Sequence, residues 1–161
     1  MPSQHRIDAT DADLLLALVT RPRASAIALA GQTGLSRNTV QARLARREER
    51  GVLDSFERQV PPAVLGYPLT AYITTQVTQR RLDEVAAALA SIPEVLQVDG
   101  ISGQTDLLVH AVAADADELY RVAGQILAIP GVERTNTALV MRELVGYRIT
   151  PLLRRHAHRP S

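Results

Sequence analysis

Amide and guanidinium side chains recur at helical spacing between residues 36 and 50. Val40 and Leu44 are four residues apart and share one face of a helix with position 47. Asn38 and Gln41 point the other way, with small alanines beside them. Asn and Gln can form the paired hydrogen bonds that the edge of adenine offers, and small neighbours let a helix approach closely. The pattern predicts a helix that recognises base edges in the major groove.

Five arginines lie in the same segment, and the whole chain contains no lysine. Arg37, Arg43, Arg46 and Arg50 flank the amide face, where their guanidinium groups could reach phosphates. The alternative is a solvated helix face on which nearby glutamates pair with the arginines. The predicted DNA-contacting residues are Ser36, Arg37, Asn38, Thr39, Gln41, Ala42, Arg43 and Arg46.

Three short helices are predicted to carry these side chains. Thr10–Asp13 has the spacing of a capping box, and an apolar run follows it. Ser25 is suited to cap a second helix, and Gly34 supplies the tight turn after it. Ser36 then caps a third helix that runs to Arg50. Helix, glycine turn and polar-faced helix together predict a helix-turn-helix of the winged-helix-like kind that binds double-stranded DNA.

The second part of the chain contains an internal repeat. Ile92-Pro93-Glu94-Val95 recurs 37 residues later as Ile129-Pro130-Gly131-Val132, and each copy separates a predicted helix from a predicted strand. Strands are expected over 69–77, 95–101, 106–112 and 132–145, with helices over 85–90 and 119–128. This order predicts an α+β chain with a C-terminal ferredoxin-like βαββαβ domain. Such a sheet leaves one face open, so self-association is expected.

Breaks in composition set the expected domain boundaries. Residues 54–60 alternate like a strand, and Pro61-Pro62 and Gly66-Tyr67-Pro68 follow. We therefore predict a helix-turn-helix domain over 1–53, a linker strand and hinge over 54–68, a sheet domain over 69–150 and a frayed basic tail over 151–161.

The charged side chains are distributed unevenly along the chain. The first sixty residues hold nine Arg against seven acids, for +2, whereas the next ninety hold six Arg against ten acids, for −4. This asymmetry favours a polyanionic partner for the N-terminal part.

Composition also excludes several classes of protein. Cysteine is absent, which excludes disulfides, thiolate metal sites and Cys nucleophiles. His5, His110, His156 and His158 form no cluster with metal-ligand spacing. No apolar run approaches ~18 residues, and the N-terminus lacks the apolar stretch of a secretory signal. We expect a cytoplasmic protein with no cofactor, no metal, no catalytic residue and no membrane partner.

These features together resemble the Lrp/AsnC family, the feast/famine transcriptional regulators, over about residues 6–150. The residues that carry the resemblance are Ile7-Asp8-Ala9-Thr10-Asp11, Gly34-Leu35-Ser36, then Val40, Arg43, Leu44, Arg46, Glu48-Glu49 and Gly51-Val52-Leu53, then Gly103-Gln104-Thr105-Asp106, Ile129-Pro130-Gly131-Val132, Thr135, Thr137 and Leu139. The resemblance implies an N-terminal helix-turn-helix. It also implies a C-terminal domain that binds an effector and assembles homodimers into tetramers or octamers.

Three features depart from the family pattern. Arg47 stands where the family usually has a Leu near the end of the recognition helix. Its head either reaches water along an apolar surface or pairs with an acid such as Asp13. The aromatic residue that usually precedes the Asp of the GxxD loop is missing, and the basic tail extends beyond the family's usual end.

An amino acid is the expected effector, and the loop before the third strand is its expected site. Glycine lets the backbone approach a ligand, and hydroxyls suit a carboxylate. Asp106 either accepts directly from the effector's ammonium group or holds the loop's own amides. The predicted effector-binding residues are Ile101, Ser102, Gly103, Gln104, Thr105 and Asp106, with Thr135 and Thr137 of a neighbouring subunit closing the pocket.

Two other functions stay open on the sequence alone. A DNA-organising protein without any effector would carry the same helix-turn-helix. The sirohaem decarboxylases resemble Lrp proteins in architecture and are enzymes, so the fold by itself does not exclude catalysis. His110 lies in the middle of a predicted strand, where a core or interface histidine is the more frequent interpretation than a ligand.

Overall fold

The computed structural model describes residues 7–49, 51, 53 and 59–157. The elements along the chain are α1 (Ala9–Thr20), α2 (Ala26–Thr33), α3 (Arg37–Glu49), β1 (Leu69–Val77), α4 (Leu82–Ala90), β2 (Val95–Gly100), β3 (Leu107–Ala113), α5 (Ala116–Leu127), β4 (Val132–Leu139) and α6 (Thr150–Ala157). Contacts divide the chain into two units, Met1–Arg58 with Val145–Ser161, and Gln59–Leu144. Among the described residues, none of the helices is both long enough and apolar enough to cross a bilayer.

The first unit contains α1, α2, α3 and α6. Leu14, Ala17, Leu29 and Val40 form its core between the first three helices. Ser25 caps α2 by accepting a hydrogen bond from the Ala28 amide at 3.2 Å, as predicted. The helix-turn-helix is therefore built on the elements that the sequence indicates.

The turn between α2 and α3 depends on a glycine. Gly34 ends α2 with φ of 72°, in the left-handed region that side chains disfavour. Two residues later, the Ser36 hydroxyl accepts from the Thr39 amide at 3.1 Å and caps α3. Both predictions are confirmed.

The start of α1 differs from the prediction. Asp8 is the N-cap, and its Oδ1 accepts from the Asp11 amide at 2.7 Å. The Asp11 carboxylate accepts in return from the Asp8 amide. The box predicted at Thr10–Asp13 was wrong by two residues, because Asp8 and Asp11 have the same spacing and Asp is a stronger N-cap than Thr.

The second unit is a four-stranded antiparallel sheet in the order β2-β3-β1-β4. This order confirms the ferredoxin-like fold. Its core repeats at the spacing of the sequence repeat, since Val85 and Leu89 of α4 correspond to Val122 and Ile126 of α5, 37 residues later. All four side chains are fully buried.

The exposure of β1 resolves which face of the sheet is open. Ala71, Ile73 and Thr75 are buried on the side of α4 and α5, whereas Tyr72 and Gln76 are exposed on the other side. Alternation alone could not distinguish these faces, because each set contains one threonine and at least one apolar or aromatic side chain.

The C-terminal part differs from the prediction in two ways. Strand β4 ends at Leu139 rather than at residue 145, because Leu139 pairs with Ala71 and β1 offers only two residues beyond that pair. The last ladder bond runs from the Val140 amide to the Thr70 carbonyl at 2.8 Å. Where a frayed tail was expected, α6 forms a helix that packs on α1.

The predicted linker is described only in part. Residues 54–58 of the predicted strand lie outside the described residues, and so does Arg50. Gln59 and Val60 are not in a strand, and Pro62–Leu65 forms one turn of 3₁₀ helix.

Candidate functional site

The outward face of α3 carries the amide side chains that the sequence singled out. Val40 is fully buried against α1 and α2, which turns the opposite face of the helix to solvent. The exposed residues on α3 include Arg37, Asn38, Thr39, Gln41, Ala42, Ala45 and Arg46. Seven of the eight predicted DNA-contacting residues are therefore exposed at α3 or at its cap, since Ser36 is exposed as well.

The hydroxyls at the start of α3 are engaged with each other. Ser36 Oγ lies 2.8 Å from Thr39 Oγ1, in addition to its capping bond with the Thr39 amide. The pair fixes the first turn of α3 and leaves one hydroxyl hydrogen able to donate beside the helix N-terminus, a place that favours anions such as phosphate.

Arg43 is directed at α1 instead of at the outward face. Its Nη1 donates to both oxygens of Asp8, at 2.8 and 3.1 Å, and to Asp11 at 2.7 Å. Burial alone would raise the pKa of Asp8, but the hydrogen bonds from Arg43 and Asp11 and the charge of Arg43 together outweigh it and hold that pKa below its ordinary value. Arg43 thus joins α3 to α1, and it is the one predicted DNA-contacting residue that is not fully exposed.

Arg47 fills the apolar stripe of α3 and is 8% exposed. Its Nη2 donates to the Asp11 carboxylate, which is 1% exposed. Of the two interpretations given by the sequence, pairing with an acid holds, but the acid is Asp11, since Asp13 is exposed. Nε and Nη1 of Arg47 are buried and have no hydrogen-bond partner among the described residues.

Asp8, Asp11, Arg43 and Arg47 together form a four-residue charge cluster between α1 and α3. The sequence did not single out Asp8 and Asp11 for this role. The spacing from Arg43 to Arg47, one turn of a helix, was the available signal, because two cations on one side of a helix require anions opposite them.

The predicted effector loop closes on itself at the end of the sheet. The Ile101 amide donates to the Asp106 carbonyl at 2.9 Å, and Gly103 adopts φ of 123° at the tip. Within the described part of the chain, the amides of Gly103, Gln104 and Thr105 donate to no other residue. Ser102, Gly103 and Gln104 are exposed. The loop therefore presents free donors to solvent.

The Asp106 carboxylate does not hold the amides of its own loop but is bonded to residues at the end of β1 and just after it. One carboxylate oxygen accepts from the Val77 amide at 2.8 Å, and the other accepts from Gln79 Nε2 at 2.7 Å. The Asp106 amide donates to the Thr75 carbonyl at 3.0 Å. Asp106 thus ties the loop to the end of β1, and Gln79 would have to move before the carboxylate could meet an ammonium group.

Thr135 and Thr137 lie on the helix-facing side of β4, where they pair with Thr75 and Ile73 of β1. One strand separates them from the loop, a distance of about 10 Å for two strand spacings. Thr75 lies on β1, between β4 and the loop, and its buried hydroxyl has no hydrogen-bond partner in the described structure. Thr75 was not predicted as a site residue, because alternation along the strand left its buried face undecided.

The open face of the sheet carries an aromatic pair at its centre. The rings of Tyr72 and His110 stack with centroids 5.0 Å apart and an interplanar angle of 24°. Burial lowers the pKa of His110, against the opposing effect of Asp99 on β2. A neutral histidine beside an exposed tyrosine makes this part of the face suitable for contact with another apolar surface.

Among the described residues, no group of three or more His, Asp or Glu side chains is placed to hold a metal ion. His5 and His158 lie outside the described residues. The ring of His156 is hydrogen-bonded to the Leu152 carbonyl, one turn earlier in α6.

Family models match both units. Residues 7–46 match the AsnC-type helix-turn-helix domain, and residues 70–149 match the Lrp/AsnC ligand binding domain. The first match covers α1, α2 and most of α3, and the second covers the sheet with α4 and α5. Helix α6 begins beyond both matches.

Individual relatives agree with the family models. The chain is 34% identical over 110 residues to the HTH-type transcriptional regulator FL11 of Pyrococcus horikoshii, covering 68% of this chain and 73% of that protein. The structure of E. coli AsnC superposes with a TM-score of 0.81 at 25% identity, covering 91% of this chain and all of that one. A regulator from Neisseria meningitidis in complex with L-Met shares the fold, with a TM-score of 0.77 at 24% identity over 88% of this chain and 94% of that one.

Proposed function

Because this chain belongs to the Lrp/AsnC family of transcriptional regulators, we propose that it recognises a specific DNA sequence through α3 and responds to an amino acid bound at the sheet domain. The members of the family are DNA-binding regulators, so the chain is a regulator and not an enzyme. The observation that carries the proposal is the exposed amide face of α3 behind a buried Val40. This face offers amide groups that can form hydrogen bonds with base edges in the major groove, and no bulky side chains lie beside them.

An amino acid is the first class of effector to test. The relative from Neisseria meningitidis was crystallised with L-Met. In this chain, the unpaired amides at Gly103–Thr105 suit a carboxylate, as backbone amides commonly do. A thermal-shift screen of the twenty amino acids tests the proposal, since a ligand that binds only the folded state raises the unfolding temperature by mass action. DNA affinity is then measured with and without each compound that raises it.

The outcomes separate two functions. An amino acid that raises the unfolding temperature and changes DNA affinity supports a regulator with an effector. Specific DNA binding that none of the twenty compounds alters would instead support an effector-independent DNA-organising protein.

Gly103→Val is expected to abolish the response to the effector. The backbone at Gly103 has a φ that a β-branched side chain disfavours by about 1–3 kcal/mol, so the loop must rearrange. Asp106→Ala is expected to weaken the response by releasing the loop from Val77 and Gln79. Isothermal titration with the amino acid found in the screen measures both.

Gly100→Ala is the matched control for these variants. Gly100 ends β2 beside the loop, has open space around it and lacks a positive φ. If Gly103→Val and Asp106→Ala stay folded and bind the effector as Gly100→Ala does, the pocket lies elsewhere.

We further propose that two copies associate through the open sheet face. Tyr72→Asp would then place a charge at the centre of that interface and weaken the dimer by about 2 kcal/mol or more, as loss of a central aromatic residue does. Sedimentation velocity at micromolar concentration measures the shift from dimer to monomer.

Tyr120→Asp is the control for the dimer test. Tyr120 lies on α5, on the other side of the sheet, and is 84% exposed against 41% for Tyr72. Equal dimerisation of the two variants would rule out the open face as the interface.

A further inference from the structure

Helix α1 has apolar side chains on two sides, which is more than a three-helix unit can cover. Leu14, Ala17 and Leu18 pack towards α2 and α3. Residues 12, 15, 16 and 19 form a second stripe, again at i, i+3, i+4 and i+7. Ala12 in this stripe is fully buried although it lies outside the core between the first three helices. Leu15 and Leu16 are half-buried and Val19 is 48% exposed, so a second element covers this stripe near its start.

Helix α6 supplies the second cover. It packs on α1, and its Leu153 is 5% exposed, whereas the neighbouring Leu152 is 55% exposed. One face of α6 is thus buried and the other is solvated. The helix begins after residue 149, beyond both family matches, so neither match assigns it a role.

The other end of this arrangement is the recognition helix. Asp8 lies just before α1, and Asp11 lies in its first turn. Both acids pair with Arg43 of α3, and Asp11 also pairs with Arg47. Helix α1 therefore lies between α6 on one side and α3 on the other, joined to one by apolar packing and to the other by the charge cluster.

We propose that α6 is the fourth helix of the DNA-binding unit and sets the position of the recognition helix through α1. Leu153 is then a positioning residue for DNA recognition, although it does not touch DNA. This inference rests on the proposed recognition of DNA by α3.

Leu153→Asp and Leu152→Asp in the full chain form the test. Hydrogen exchange of the DNA-free protein reports the protection of amides in α1 and α3, and fluorescence anisotropy reports DNA affinity. Both are measured at 10 °C and only on variants that circular dichroism shows to be folded, so that a helix which only adds stability would leave the Kd unchanged. Leu153→Ala replaces Leu153→Asp if the latter fails to fold.

Leu153→Asp is expected to lower the protection of α1 amides and to raise the Kd about ten-fold or more, since displacing α3 loses at least one paired base contact. Leu152→Asp is expected to match the parent in both. An unchanged Kd and unchanged α1 protection in folded Leu153→Asp or Leu153→Ala would overturn the proposal, and so would lowered protection with an unchanged Kd. If the parent itself binds no specific DNA, the proposed function fails, and the positioning of α3 for DNA recognition fails with it. The protection of α1 amides would then report only whether α6 packs on α1.

Discussion

Replacement of Asp11 by alanine is expected to lower the free energy of unfolding of the DNA-binding unit by about 3–5 kcal/mol, the usual cost of leaving one member of a buried ion pair alone. The Asp11 carboxylate is 1% exposed and holds Arg47, which has no other partner among the described residues. Without Asp11, the Arg47 guanidinium stays buried and uncompensated, and Arg43 keeps only Asp8.

A double variant separates the charge from the packing. Arg47→Leu places an apolar side chain at this buried position, and in combination with Asp11→Ala it removes both charges. We expect the double variant to recover most of the loss, because replacing a buried ion pair with apolar side chains is often neutral or stabilising. The gain measured against the two single variants is their coupling energy.

Asp13→Ala is the control, since Asp13 lies in the same helix and is exposed. It is expected to change stability by less than about 0.5 kcal/mol, as surface substitutions do. Native-state hydrogen exchange of α1 and α3 measures each variant, because a chain with two units need not unfold in one step. An Asp13→Ala variant as destabilised as Asp11→Ala would contradict this account of the cluster.

The fold was predictable wherever local chemistry and packing agree. The caps at Ser25 and Ser36 and the turn at Gly34 follow from backbone geometry that few residue types satisfy. The four strands and two helices of the sheet domain follow from a repeat in which Pro comes after each helix and Val begins the strand that follows it.

The features that the sequence did not predict depend on contacts distant in the chain. The end of β4 is set by the start of β1, some 70 residues earlier, which no local pattern encodes. Helix α6 is too short to be stable alone and forms against α1. The excess of leucine in α1 was visible in the sequence, but a three-helix unit was expected and nothing indicated what would cover the second stripe.

In the candidate sites too, the features that follow from local periodicity were predictable, and those that depend on contacts distant in the chain were not. Exposure of Asn38 and Gln41 follows from helical periodicity once Val40 is buried. The directions of Arg43 and Arg47 do not follow, because their partners are on α1, more than 30 residues away. The occupation of Asp106 by Val77 and Gln79 likewise depends on the packing of β1 beside β3.

Asn38→Ala and Gln41→Ala are expected to reduce discrimination between DNA sequences, each by about 1–3 kcal/mol at one base position. Both side chains are exposed on the face that Val40 turns outward. Losing a paired hydrogen bond to a base removes the penalty for the wrong base, so affinity for variant sites falls much less than affinity for the best site. Competition binding against a set of single-base variants measures the effect.

Arg46→Ala is expected to weaken binding to all sequences by a similar factor and to reduce the slope of log K against log salt by about 1, as loss of one phosphate contact does. Arg43→Ala is the matched comparison on the same helix, since its Nη1 is already occupied by Asp8 and Asp11. We expect Arg43→Ala to leave the salt slope unchanged, and any loss of affinity to come from the loosened joint between α1 and α3. If instead Arg43→Ala flattens the slope and Arg46→Ala does not, Arg43 contacts phosphate and Arg46 does not, and the assignment of the two arginines must be exchanged.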